Sequence, residues 1–130
     1  GSAIRAATID AVKGQFVWTV SGDQIVQTGA GFPYRASVIL TVLGVYLEVT
    51  TAPTGSAMIV DINRNGTSIF TVRPQIDAGN LTGGSSAVLN GSPFTLALDD
   101  KLTLDIDQVG STIAGQNLVV SLRCKQVVPA

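Results

Sequence analysis

Apolar and polar residues alternate strictly from Lys101 to Asp107, with Leu102, Leu104 and Ile106 set against Lys101, Thr103, Asp105 and Asp107. That period of two predicts a strand with one face in a core and one in water. Leu118, Val120, Leu122 and Cys124 repeat the pattern. There Val119 falls among the outward Ser121 and Arg123, which predicts that part of the outer face is covered. Met58, Val60 and Ile62 oppose Ile59, Asp61 and Asn63. Asn65-Gly66 then supplies two residues that tolerate positive φ, predicting a tight hairpin before 67–72 returns.

Strand-like runs bounded by turn residues recur at 15–20, 24–28, 34–50, 57–63, 67–72, 94–98, 101–109 and 117–128. The run 34–50 is too long for one ordinary strand, and Gly44 is the natural place for a bend, a bulge or a crossing between sheets. For residues 3–13, Ile4, Ile9 and Val12 do not form a helical stripe, so a helix and a linker or arm both stay open. The domain division that follows is 1–14 as scar plus N-terminal arm or linker, and 15–130 as a single β-sandwich domain. The expected fold class is all-β, an antiparallel, jelly-roll-like sandwich of about eight strands.

Composition supports this pattern. Val, Ile and Thr together occupy 39 of 130 positions, side chains that suit a pleated surface and lose rotamer freedom in a helix. The chain is 45% hydrophobic and only 13% charged, which excludes a disordered polypeptide and requires a largely neutral surface. Eight Lys and Arg are scattered singly and the formal net charge is −1, so no phosphate-neutralising cluster forms and nucleic acid is not an expected partner. The longest apolar stretch, 38–47, is interrupted by Thr41 and Gly44 and is about half of what a membrane-spanning helix needs, so membrane insertion is not expected. Gly1-Ser2 reads as a scar of tag removal, with the natural start lost or the chain cut from a longer one.

The sequence contains no histidine, which removes Ser-His-Asp and Cys-His catalysis, imidazole metal ligands and imidazole-based pH switching. Cys124 is the single cysteine, and its alternating apolar setting predicts a buried, inert thiol. Asp105 and Asp107 share one strand face, with Asp99 and Asp100 nearby in sequence. Calcium would need six to eight convergent oxygens, so a solvated face that discourages wrong edge pairing explains the carboxylates better. A paired-carboxylate glycosidase needs no histidine, but no cleft of aromatics accompanies the pair. Three Asn-x-Ser/Thr sequons begin at Asn65, Asn80 and Asn90, and turn chemistry accounts for the first. Residues 79–86 read as a flexible loop, since they lack the Gly-Lys-Ser/Thr ending of a phosphate cradle. Trp18, with Tyr34 and Tyr46, could furnish a sugar-stacking platform, although Phe16 and Val20 beside it favour a core role.

Three segments taken together carry a resemblance: Thr51-Ala52-Pro53-Thr54-Gly55-Ser56-Ala57, the run from Val60-Asp61-Ile62-Asn63 through Arg64-Asn65-Gly66-Thr67 to Ser68-Ile69-Phe70, and Leu104-Asp105-Ile106-Asp107-Gln108-Val109-Gly110-Ser111. This set resembles a β-rich domain recurring in tailed-bacteriophage structural proteins. The resemblance covers roughly 34–123 and leaves 3–31 unmatched. It implies a virion surface part (tail fibre, spike, baseplate adhesin or head fibre) in which small jelly-roll-like domains sit on longer chains and often form trimers.

The expected function is therefore a non-enzymatic virion structural domain, contributing to host attachment through oligomeric display. Its expected partners are copies of itself in a homotrimer, other virion proteins, and a host cell-surface glycan or protein. No catalytic residue, metal or cofactor is expected, and no ligand-binding residue is assigned; loops 51–56 and 78–93 are the exposed candidates for receptor contact. The alternative is a free-standing carbohydrate-binding module resting on Trp18.

Overall fold

The computed structural model describes residues 13–127, with side chains from Phe16 onward. The expectations for 1–12 lie outside the described residues. Twelve strands follow in order: β1 (Lys13–Asp23), β2 (Gln27–Arg35), β3 (Leu40–Glu48), β4 (Met58–Arg64), β5 (Thr67–Ser68), β6 (Phe70–Val72), β7 (Gln75–Ile76), β8 (Thr82–Gly83), β9 (Val88–Leu89), β10 (Phe94–Leu96), β11 (Lys101–Gln108) and β12 (Gln116–Gln126). One sheet runs β1-β12-β3-β10 with β8 added on β3, the other runs β2-β11-β4-β5 with β7 added on β4, and β6 and β9 form a separate ribbon. Every pairing is antiparallel.

The chain alternates between the sheets from β1 to β4, turns back through the β4–β5 hairpin, and alternates again from β10 to β12. Eight principal strands wound in this order make a jelly roll, the all-β sandwich that the strand pattern predicted. Between the sheets lie Trp18, Leu47, Leu118, Val120 and Leu122 from one side and Val60, Ile62, Leu102, Leu104 and Ile106 from the other, all at most 2% exposed. These are the inward positions of the alternating runs, so the register follows from burying one face of each strand. Side chains close both open edges of the sandwich. At one, Trp18 Nε1 donates to Phe32 O at 3.0 Å and Tyr34 Oη donates to Val17 O. At the other, the Arg64 guanidinium lies 4.6 Å from the centre of the Phe94 ring and donates to Thr95 O at 3.0 Å.

The Asn65-Gly66 hairpin forms as expected, with φ of 51° and 88°. Five segments differ from the sequence expectation. Residues 24–26 form a turn, not a strand: Gln24 is buried, and its side-chain amide donates to Val20 O and Gly22 O at 2.7 and 3.0 Å. The run 34–50 breaks at 36–39, where Ala36 N donates to Asp100 O and Asp99 N donates to Ala36 O as the chain passes from β2 to β3. Gly44 takes one of the roles the sequence offered it, a bulge: Arg123 pairs with Gly44 and Cys124 with Val42, leaving Leu43 unmatched and exposed.

The run 67–72 splits at Ile69, which turns fully inward and sends Phe70–Val72 onto the ribbon. Finally, part of the 79–86 loop is ordered pairing, because Thr82–Gly83 adds to β3 opposite Leu47 and Glu48. Loop 51–56 is correspondingly less exposed than expected. Pro53 is buried, Thr54 pairs with Ile113, and Ser56 Oγ donates to Val109 O at 2.9 Å.

Candidate functional site

The outer face of the β2-β11-β4-β5 sheet carries Asp105 and Asp107, the pair singled out in the sequence, together with Asp61. Asp105 stands directly opposite Asp61. Its two oxygens accept from Asn63 Nδ2 at 2.7 Å and from Gly29 N at 3.0 Å. Asp61 accepts from Ser68 Oγ at 2.6 Å, and Asp107 pairs with Arg73 at 2.8 Å. Asp99 and Asp100 are not part of this face. Asp100 sits in the β10–β11 turn and accepts from Asn65 Nδ2 and Ala97 N, at 3.0 and 2.8 Å. Among the described residues no three acidic, thiol or imidazole groups converge as metal ligands. Asp61, Asp105 and Asp107 each spend acceptor capacity on a neighbour in the fold, the arrangement expected of a structural polar face.

Half-burial pushes the Asp61 carboxyl above its ordinary value of 3.8; the Ser68 hydrogen bond opposes this, and the nearby Asp107 and Asp105 charges add to it. A raised folded-state pKa means that the native state binds the proton more tightly than the unfolded chain, so ionising Asp61 as pH rises costs stability. Asp61→Asn keeps an acceptor for Ser68 and removes the charge. The variant is expected to melt slightly above the parent at pH 7, by less than about 1 kcal/mol because the site is partly solvated. That difference should shrink as pH falls toward 3.8, in paired calorimetric scans across the acid range.

The aromatic platform is not assembled. Trp18 is 2% exposed inside the sandwich, with the Tyr34 ring edge-on to it at 5.1 Å. Tyr46 points outward, with the Arg123 guanidinium 5.6 Å from its ring centre. The carbohydrate-binding alternative thereby loses the ring it depended on. Cys124 is fully buried, and burial pushes its thiol up to about 11, in keeping with an inert role. Asn65 and Asn90 of the sequons are used internally: Asn65 Oδ1 accepts from Lys101 N at 2.9 Å, and Asn90 Nδ2 donates to Ser68 O at 2.9 Å.

Two further surface features were not singled out from the sequence. The first is a groove of about 580 Å³ between the Leu43-Gly44 bulge and the β6–β9 ribbon, lined by Leu43, Val45, Phe70, Ala87, Val88 and Leu89 with glycines and serines. None of its lining side chains is titratable. The second is Phe32, 83% exposed on edge strand β2. There Tyr34 pairs with Leu102 and Ala30 with Leu104, so Thr103 alone opposes Gly31, Phe32 and Pro33, and the three bulge outward. Gly31 adopts φ of 69°, Pro33 fixes its own φ, and the Trp18 hydrogen bond holds the Phe32 carbonyl. Gly-Phe-Pro within an edge strand was the available signal for such a bulge.

No family model matches the sequence, and no curated protein matches it. Among solved structures, the Drosophila NLP core, described as giving insight into pentamer formation and histone binding, is similar at a TM-score of 0.43 and 11% identity, over 84% of this chain and 96% of that one. So distant a likeness transfers neither property.

Proposed function

We propose that this chain is a non-enzymatic structural domain of a tailed-phage particle, borne as a homotrimer on a fibre, spike or decoration protein and helping that protein to engage a host surface. The observation that carries the reading is the combination of a jelly roll with an aromatic side chain, Phe32, presented to solvent on a bulged edge strand. Single exposed apolar side chains are ordinary, and Phe32 stands out because it is the most exposed of the large hydrophobic residues among those described. Further support comes from the phage-like segments at 51–57, 60–70 and 104–111 and from a surface of low charge. The carboxylates of the β11 face are occupied by Asn63, Gly29, Ser68 and Arg73, and the groove offers shape and apolar contact in place of reactive groups.

Antibodies raised against the folded domain are expected to decorate intact tailed particles of the phage that encodes it, viewed by negative-stain microscopy. Antigen found only as free protein in the lysate, with bare particles, overturns the reading.

A further inference from the structure

Phe32 and the groove lie on opposite sides of the sandwich. β1 and β2 are the terminal strands of their sheets at one edge, and Phe32 projects there. Leu43 and Val45 of the groove lie on β3, two strands from β1 and beside the far terminal strand β10. At about 4.8 Å per strand, the two features are separated by roughly 10 Å or more across the sheet, so a molecule cannot place its own Phe32 in its own groove. A second copy can.

Size and charge both allow it. A closed cavity of about 150 Å³ already admits a benzene ring, and this open groove offers about 580 Å³. Its rim carries Leu43 and Val88, which are 52% and 49% exposed, and Val72, paired with Val88 on the ribbon, is 47% exposed. Neither Phe32 nor the groove lining carries a charge, and a net charge of −1 gives two copies little reason to repel one another. A buried aromatic supplies about 150–250 Å² of the roughly 800 Å² that each partner gives to a stable interface. The exposed Ile25 and Val26 of the β1–β2 turn and the ribbon side chains can supply more of the apolar part. Pre-organisation favours the same arrangement, because the Gly31 and Pro33 geometry and the Trp18 hydrogen bond have already fixed the backbone under the ring.

We propose that copies of this chain associate head to tail, with Phe32 of one protomer seated in the groove of the next. A contact between two different patches is heterologous and closes into a ring when its rotation permits. The homotrimer of the proposed function is such a ring, and the inference rests on the self-assembly part of that reading.

Sedimentation of the wild type and of Phe32→Ala and Val88→Arg, separately and mixed, tests the arrangement. Both positions are exposed, and circular dichroism with thermal melting confirms that each variant is folded. The wild type is expected to form a discrete oligomer as concentration rises. Each variant alone should associate at least about thirtyfold more weakly, the loss expected of a central aromatic anchor or its pocket. The equimolar mixture should form heterodimers and stop there, because Val88→Arg still offers Phe32 and Phe32→Ala still offers an intact groove.

A wild-type oligomer that neither substitution weakens overturns this interface while leaving self-assembly in place. Two variants that fail alone and also fail when mixed overturn the head-to-tail pairing. A wild type that stays monomeric to millimolar concentration overturns both the interface and the trimer, while particle labelling decides the virion assignment separately.

Discussion

Trp18→Ala is expected to remove about 3–5 kcal/mol of stability, lowering the midpoint of a calorimetric or far-ultraviolet melt by roughly 12–20 °C. The side chain is 2% exposed and fills space between the sheets against the edge of the Tyr34 ring. Its loss leaves a large cavity in an interior that relaxes only partly. It also strips the Phe32 carbonyl of its donor. A domain of this size has only about 5–15 kcal/mol of net stability, so this one change consumes a large share of it. Trp18→Phe separates the two contributions. It retains most of the apolar volume but cannot donate, and it is expected to cost about 1–3 kcal/mol. Faster hydrogen exchange at Gly31 and Phe32 should accompany that cost, since the bulge would no longer be pinned from below. Unchanged exchange there would show that the bulge is held by Gly31 and Pro33 alone.

The parts of the fold that were legible in the sequence were those fixed by local rules. Strict alternation located β4, β11 and β12, because only one register buries Leu102, Leu104 and Ile106 against Val60 and Ile62. Asn65-Gly66 announced its turn through the φ values those residues tolerate. Cys124 and Trp18 followed from the apolar company they keep along the chain. What could not be read depended on partners distant in sequence. The break at 36–39 is made by hydrogen bonds to Asp99 and Asp100, some sixty residues away. Apolar runs such as 34–50 carry no period that marks where a strand changes sheets.

The groove was hidden for a related reason. Leu43, Phe70 and Val88 lie on three different strands, and nothing local to any of them shows that they face one space. Phe32 was hidden because a strand pattern was expected to end before it, whereas Gly31 and Pro33 keep the strand but bow it outward. The carboxylates were correctly placed on one outer face. Their hydrogen-bond partners, which make that face structural, became visible only when β4, β5 and β11 lay side by side.

Gly83→Ala is expected to be the second most damaging of the changes considered, and its effect should reach the groove. β8 belongs to the sheet of β3 and β7 to the sheet of β4, so Gly83 stands where the two sheets meet. Gly84 N donates to Gln75 O at 3.0 Å across this junction. A Cβ on residue 83 would run into Gln75 O and stand 2.9 Å from both Gln75 C and Ile76 Cα. Those atoms are backbone of β7, held in its ladder with β4, and cannot swing aside as a side-chain tip would, so β8 or β7 must be displaced. Overpacking of this kind costs about 1–3 kcal/mol, and the lost strand pairing adds to it.

Gly44→Ala is the matched control. Gly44 lines the groove and marks the β3 bulge, yet a Cβ there meets nothing within 4 Å. Its cost in a denaturant titration is expected to stay within about 0.5 kcal/mol. Because Gly84 forms part of the groove wall, Gly83→Ala should also weaken self-association measured well below its own melting temperature, while Gly44→Ala should disturb it far less. Equal stability losses at the two glycines would mean that β8 rides on the β7 edge without being wedged against it. The wall of the groove would then be a movable flap, and the Phe32 contact would have to order it on binding.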